Sequence, residues 1–187
     1  MKTLIQKADR LFEETPDIYK IKKVFFGMLD YLHKNDWQGA CHASSSIMYL
    51  ILREQGVDIQ LYLGEVKRGY IVFDHSWLEY HGQPIDAAIS NTNIRGFSFP
   101  PVFLGYELTH SNVEKTSSNY SFVEGEGLDP EMLFHSKNSF GQYLDGFSGN
   151  PNGLWGVAKN FSKTIGYKFN IAKAKSSYSN DRWQLKS

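Results

Sequence analysis

Apolar positions along the first third of the chain recur every three or four residues. Leu4, Ile5, Ala8, Leu11 and Phe12 share one helical face, and Tyr19, Ile21, Val24, Phe25, Met28, Leu29 and Leu32 form a second stripe. Two helices are predicted here. The second opens at ETPDIYK, where Thr15 can cap the N-terminus and Pro16 suits the first helical position, and it ends near His33, before KNDWQG. A third helix is expected from about Ala40 to Gln55. Ile47, Met48, Leu50, Ile51 and Leu52 make its C-terminal half almost wholly apolar, the mark of a central buried helix, and Gly56 supplies its stop.

The period then falls to two. Val57, Ile59, Leu61 and Leu63 alternate with other positions as in a strand, KRG at 67–69 reads as a turn, and YIVFDHSWLEY at 70–80 reads as a second strand. His81 and Gly82 suit a two-residue hairpin turn, and QPIDAAI at 83–89 returns as a third strand, with Pro84 placing it at an edge or a strand start. Beyond Asn91 the pattern weakens. A short strand is expected near Val102–Tyr106, a long loop over 111–129, a helix from Pro130 to about Leu144 and a short helix over 154–161. Helices followed by antiparallel strands make an α+β fold. A central helix with Cys41 at its N-terminus packs on an antiparallel sheet, with a helical pair preceding it.

Composition narrows the class. Of 187 residues 41% are hydrophobic and 15% aromatic, a globular composition. Twenty basic and 20 acidic residues cancel, so no global charge favours nucleic acid or a membrane. The balance is uneven along the chain. Glu107, Glu114, Glu124, Glu126, Asp129 and Glu131 face only Lys115 in the middle, whereas the stretch from Pro151 carries seven bases against Asp181. The two stretches are expected to face each other or water, and a phosphate-binding tail is the weaker alternative. MKTLIQKADRLFEE is charged every few residues, unlike a secretory leader, and no apolar run reaches bilayer length, so a cytoplasmic location is expected. One cysteine provides neither an internal disulfide nor a thiolate metal cluster.

That one cysteine sits where a helix begins, and there the helix dipole and free backbone N–H groups favour a thiolate. A histidine that takes the thiol proton, oriented by a carboxylate, would complete a nucleophilic site. His75 and Asp86 are the candidates. With a two-residue turn Tyr80 pairs with Gln83 and Trp77 lies opposite Asp86. His75 shares the face of Trp77, so it is a diagonal neighbour of Asp86 at roughly 7 Å between β-carbons. A three-residue turn would instead put Asp86 with Asp74 and Leu78. Zinc on His75, His81 and Asp86 is the weaker alternative, since no further ligand is apparent and His33, His110 and His135 lack ligand spacing. Neither a metal nor a cofactor is expected.

The motifs GAC at 39–41, ILREQGV at 51–57, HSWLEY at 75–80 and PID at 84–86 occur in an order that resembles the transglutaminase-like branch of the papain-like cysteine superfamily. The resemblance spans about residues 36–88. One departure is His42, where an aromatic residue usually follows the cysteine. The resemblance implies a single transglutaminase-like domain over 1–187, with its core at about 16–106 and a C-terminal extension at 107–187. It also implies an oxyanion-binding side-chain amide upstream of the cysteine, for which Gln38 and Asn35 are the candidates. Trp37, Trp77 and His42 are the substrate-cleft candidates.

The activity so implied is a thiol-dependent hydrolase or acyltransferase acting on an amide of a protein or peptide, as a peptidase, glutamine deamidase or transglutaminase-like enzyme. The competing reading is a non-catalytic protein-binding module whose working surface is the aromatic C-terminal end: Trp155, Phe161, Tyr167, Phe169, Tyr178 and Trp183.

Overall fold

The computed structural model describes residues 2–95, 97–109, 111–121 and 127–186, and the side chains of all of these except residues 10 and 11. The expectations for Leu11, His110, Glu124 and Glu126 therefore lie outside the described residues.

Three helices open the chain: α1 (Lys2–Phe12), α2 (Ile18–Lys34) and α3 (Cys41–Glu54). Helix α2 starts later than Thr15 and Pro16 suggested. Asp17 is its N-cap in the left-handed region at φ 57°, while the Thr15 N–H donates to the carbonyl of Phe12 and so belongs to the turn closing α1. Helix α3 is buried from Ala43 to Leu52. It ends at Gly56 (φ 78°), where the Gly56 N–H donates to Arg53 and the Val57 N–H to Leu52, satisfying the last carbonyls. Its first half is polar yet equally buried. Ser45 Oγ donates to the Cys41 carbonyl at 2.6 Å and lies 2.8 Å from Ser76 Oγ, which donates in turn to the Tyr62 carbonyl at 2.9 Å. The start of the helix is thereby tied to the sheet.

Strands β1 (Gln60–Arg68) and β2 (Ile71–Tyr80) pair antiparallel from Gln60–Glu79 to Arg68–Ile71 around Gly69 and Tyr70. Strand β3 (Gln83–Ile85) returns beside the end of β2, with Tyr80 opposite Gln83. His81 and Gly82 make the turn with φ of 49° and 73°, both positive as a two-residue turn of type I′ requires. The third strand is shorter than expected. Asp86 leaves the β3 ladder to bridge Val102, and its Oδ1 accepts the Ile89 N–H at 3.0 Å, which pulls Ala88–Asn91 into a 3₁₀ turn.

The remaining elements are β4 (Val102–Phe103), β5 (Tyr106–Leu108), β6 (Val113–Lys115), β7 (Asn119–Tyr120), α4 (Pro130–Lys137), α5 (Phe140–Gly146), α6 (Gly153–Thr164), α7 (Ile171–Tyr178) and β8 (Gln184–Leu185). The main sheet runs β3-β2-β1-β7 in antiparallel fashion, with β8 added parallel to β1, and β4-β5-β6 form a second, antiparallel sheet. The fold is thus mixed α and β. Residues expected as one long loop hold β6 and β7. The helix expected over 130–144 is two, because Ser139 starts a fresh capping box with Gln142.

Among the described residues the larger of two hydrophobic clusters runs from Leu4 to Trp183 and includes Leu154, Trp155, Ala158 and Phe161 of α6, and the smaller holds Val66, Trp77, Ile89, Phe99, Val102 and Tyr120. The C-terminal aromatics do not together form an exposed face: Trp155, Phe161, Phe169 and Trp183 are buried and Tyr167 and Tyr178 half-buried. Within the acidic stretch Glu107 pairs with Arg68, and from the basic end Lys175 pairs with Asp145 and Lys186 with Glu79. No described helix is long and apolar enough to cross a membrane.

Candidate active site

Cys41 is the first residue of α3, half-buried, in the helical turn whose backbone N–H groups have no carbonyl partner within the helix. The approach to it turns tightly. Gly39 sits at φ 65°, its N–H donates to the Asn91 carbonyl, and a β-carbon added there would lie 3.1 Å from the Asn93 amide. Glycine meets both the backbone and the space requirement.

His75 is buried on β2, and its Nε2 is 2.8 Å from Asp86 Oδ2. The same Oδ2 accepts the Tyr120 hydroxyl at 3.0 Å, while Oδ1 holds the Ile89 N–H. Three donors fix this carboxylate, and it in turn fixes the His75 ring. Burial alone would lower the His75 pKa. The Asp86 charge, then the Cys41 thiolate, and hydrogen bonds to both outweigh burial and raise it to about 10. At Cys41 burial raises the pKa, but the charge of His42, then of His75, together with the His42 hydrogen bond, holds the thiol well below its ordinary value. The thiolate and the imidazolium stabilise one another.

His42 is the second imidazole at the sulfur, with Nδ1 3.3 Å from Sγ. Burial works against its charge, yet the Cys41 thiolate above all raises its pKa.

A cleft of about 240 Å³ opens over Cys41, His42 and His75, walled by Gly39, Phe73, Asp74, Asn93, Ile94, Asp129, Glu131 and Met132. Asp74 and His75 both reach it, although adjacent strand residues point to opposite faces. The cleft lies at residues 73–75 of β2, before its pairing with β3 begins at Leu78, so β3 leaves that edge uncovered there. Asp74 Oδ2 accepts the Asp129 N–H at 2.8 Å, and Asp129 caps α4 by accepting from the Met132 N–H. Asp74 thus holds the start of α4 at the cleft wall. Burial, against the Asp129 N–H bond and together with the charges of Asp129 and Glu65, raises its pKa.

Other candidates lie elsewhere. Gln38 is exposed, with its amide donating to Asp36, and the Asn35 amide donates to the Tyr31 carbonyl; neither lines the cleft. The side-chain amide in the cleft wall is that of Asn93. Trp37 packs edge-on to Tyr31 and Phe147, outside the lining. Trp77 is wholly buried, stacked on Tyr62 with its indole N–H donating to Glu79, and is core rather than cleft. His42 alone of the three cleft candidates lines the space. His81 sits exposed in the hairpin turn against Tyr80, and His33 Nε2 lies 3.0 Å from Ser90 Oγ. Among the described residues, no group of three or more His, Cys, Asp and Glu is placed to hold a metal ion.

Tyr120, Asn93 and the α4 acids escaped sequence reasoning. Their only signals were a lone tyrosine among serines, an asparagine in an irregular stretch and a Pro-Glu pair at a helix start. Comparison of the chain with family models, curated proteins and solved structures finds no match.

Proposed function

We propose that the protein is a thiol-dependent hydrolase or acyltransferase acting on an amide, on a transglutaminase-like core of the papain-like superfamily. The observation that carries this reading is the convergence of thiol, imidazole and carboxylate: Cys41 at the helix start and His75 line one cleft, and Asp86 Oδ2 is 2.8 Å from His75 Nε2. A thiol whose pKa is held well below its ordinary value favours the thiolate, which is the form that nucleophilic attack requires.

The Cys41 thiolate attacks the amide carbonyl carbon, and the carbonyl oxygen takes up the negative charge. The Cys41 backbone N–H and the Asn93 amide are the donors available to that oxyanion. His75 gives its proton to the departing nitrogen, the C–N bond breaks, and a thioester remains on Cys41. Water or an amine then attacks the thioester with loss of a proton to the now neutral His75, and the thiolate leaves. Water gives hydrolysis or deamidation; an amine gives transfer. Throughout, Asp86 keeps the ring oriented and stabilises its charged form. The open cleft suits a peptide or protein side chain, and no step calls for a cofactor.

An activated ester, p-nitrophenyl acetate, tests the reading without knowledge of the natural substrate. The wild type should release one equivalent of nitrophenol in a burst and then turn over, with an acetyl group on Cys41 by mass spectrometry. Cys41→Ala, still folded, should show no burst. Equal release by both proteins would sink the enzyme reading and leave the binding module.

A further inference from the structure

Two imidazoles share the cleft of the one thiol, and only one is tied to a carboxylate. The far nitrogen of His75 is held by Asp86, whereas the far nitrogen of His42, Nε2, is buried with no hydrogen-bond partner. Its near nitrogen, Nδ1, lies 3.3 Å from Cys41 Sγ. The His42 ring is boxed by the rings of His135, Tyr143 and Trp183 at 5.9, 6.4 and 6.4 Å. Its far side therefore meets aromatic side chains from the C-terminal part of the chain. An isolated helix-start histidine would be solvated; this one is half-buried, with Nε2 shut from any partner and its side chain's single polar contact on sulfur.

We propose that His42 is a second proton acceptor for Cys41, so that the thiolate forms against either of two imidazoles and survives the loss of His75. This rests on the reading of Cys41 as the nucleophile. In the step proposed, the proton leaves Sγ for His42 Nδ1 while Nε2 keeps its own, giving a thiolate and an imidazolium in contact. Nothing else is consumed or released. The charged and titratable groups facing His42 are Cys41 on its own helix, His75 on β2, Glu131 and His135 on α4, and Tyr143 on α5. Glu131 favours the cation; His75 and His135 oppose it. The two imidazoles therefore compete for the proton they share with the thiol. His75, backed by Asp86, is the stronger base, and His42 sustains a reactive sulfur when His75 is missing.

The test is iodoacetamide alkylation of Cys41 across the pH range in the wild type, His42→Gln, His75→Gln and the double variant, each shown folded by its thermal melt. His75→Gln should alkylate about tenfold faster near neutral pH than the double variant, because its thiol still titrates below the ordinary value of about 8.5. The double variant should titrate as an ordinary thiol. Equal rates and equal titration in His75→Gln and the double variant would overturn the role of His42 while leaving His75 as the activating base. A wild type no faster than the double variant would instead sink the nucleophile reading itself. If a histidine variant does not fold, the His42 ring can be titrated by NMR in the wild type and in Cys41→Ala. Its pKa should fall when the thiolate is removed, and an unchanged value overturns the proposal.

Discussion

His75 Nε2 and Asp86 Oδ2 stand 2.8 Å apart, eleven residues distant in the chain, because a two-residue turn joins their strands. The pairing Tyr80–Gln83, Glu79–Pro84 and Leu78–Ile85, carried one step further, sets Asp86 opposite Trp77 and diagonal to His75. A single extra turn residue would send the carboxylate to the other face. The geometry of the site is thus stored in the hairpin.

Replacing Asp86 tests the orienting carboxylate. Asp86→Asn keeps the shape and removes the charge, so the His75 pKa should fall from about 10 toward its ordinary value, and turnover of the ester should drop roughly 10²–10⁴-fold. Asp86→Ala also strands His75, the Tyr120 hydroxyl and the Ile89 N–H, and should cost about 3–5 kcal/mol in urea denaturation. Unaltered turnover in the Asn variant would refute the orienting role.

Stability against pH carries a second prediction. In the unfolded chain histidine titrates near about 6.5 and cysteine near about 8.5. The His75 pKa is raised to about 10 in the folded state, so its contribution is whole below about pH 6.5 and is lost as pH rises toward about 10. The Cys41 pKa is lowered, so its contribution is whole above about pH 8.5 and is lost as pH falls through the folded value. As pH rises toward about 8.5 the His75 contribution declines while the Cys41 contribution grows, so the two oppose one another. Cys41→Ala removes one side while Asp86 still supports His75. Its stability should then decline from about pH 6.5 upward relative to the wild type, as measured by denaturation at several pH values. Parallel profiles would contradict the coupling.

The hairpin turn gives a third. Gly82 has φ 73° and nothing within 4 Å of an added β-carbon, so Gly82→Ala meets only backbone strain. It should cost about 1–2 kcal/mol with an unchanged denaturant slope. A larger loss, or a changed slope, would mean that the register itself depends on glycine.

Asp74→Ala releases the cap of α4. The Asp129 N–H loses its acceptor, and hydrogen exchange at Asp129 and through the first turn of α4 should quicken, at a stability cost of about 1 kcal/mol. Unchanged exchange there would show that α4 is held by packing alone.

What could be read from the sequence was what local chemistry decides. The His81–Gly82 turn, the alternation along β2 and the apolar half of α3 specify the hairpin and the central helix without help from the rest of the chain. Long-range partners were not readable. Tyr120 reaches Asp86 from a two-residue strand that has no period of its own, and its place depends on pairing with β1. Gln38 is three residues before the thiol in sequence, but positive φ at Asp36 and Gly39 turns the segment outward, and Asn93 comes in from a distant loop instead. The C-terminal aromatics looked like a surface because nothing local shows that α6 packs into the core, where Trp155 and Phe161 are fully buried.

The most direct measurement is the rate of Cys41 alkylation by iodoacetamide in the wild type as a function of pH. An activated thiolate predicts a fast rate that persists well below about pH 7, since an ordinary thiol titrates near about 8.5. A slow rate rising only above about pH 8 would mean an unactivated thiol, and the catalytic reading of Cys41, His75 and Asp86 would fall with it.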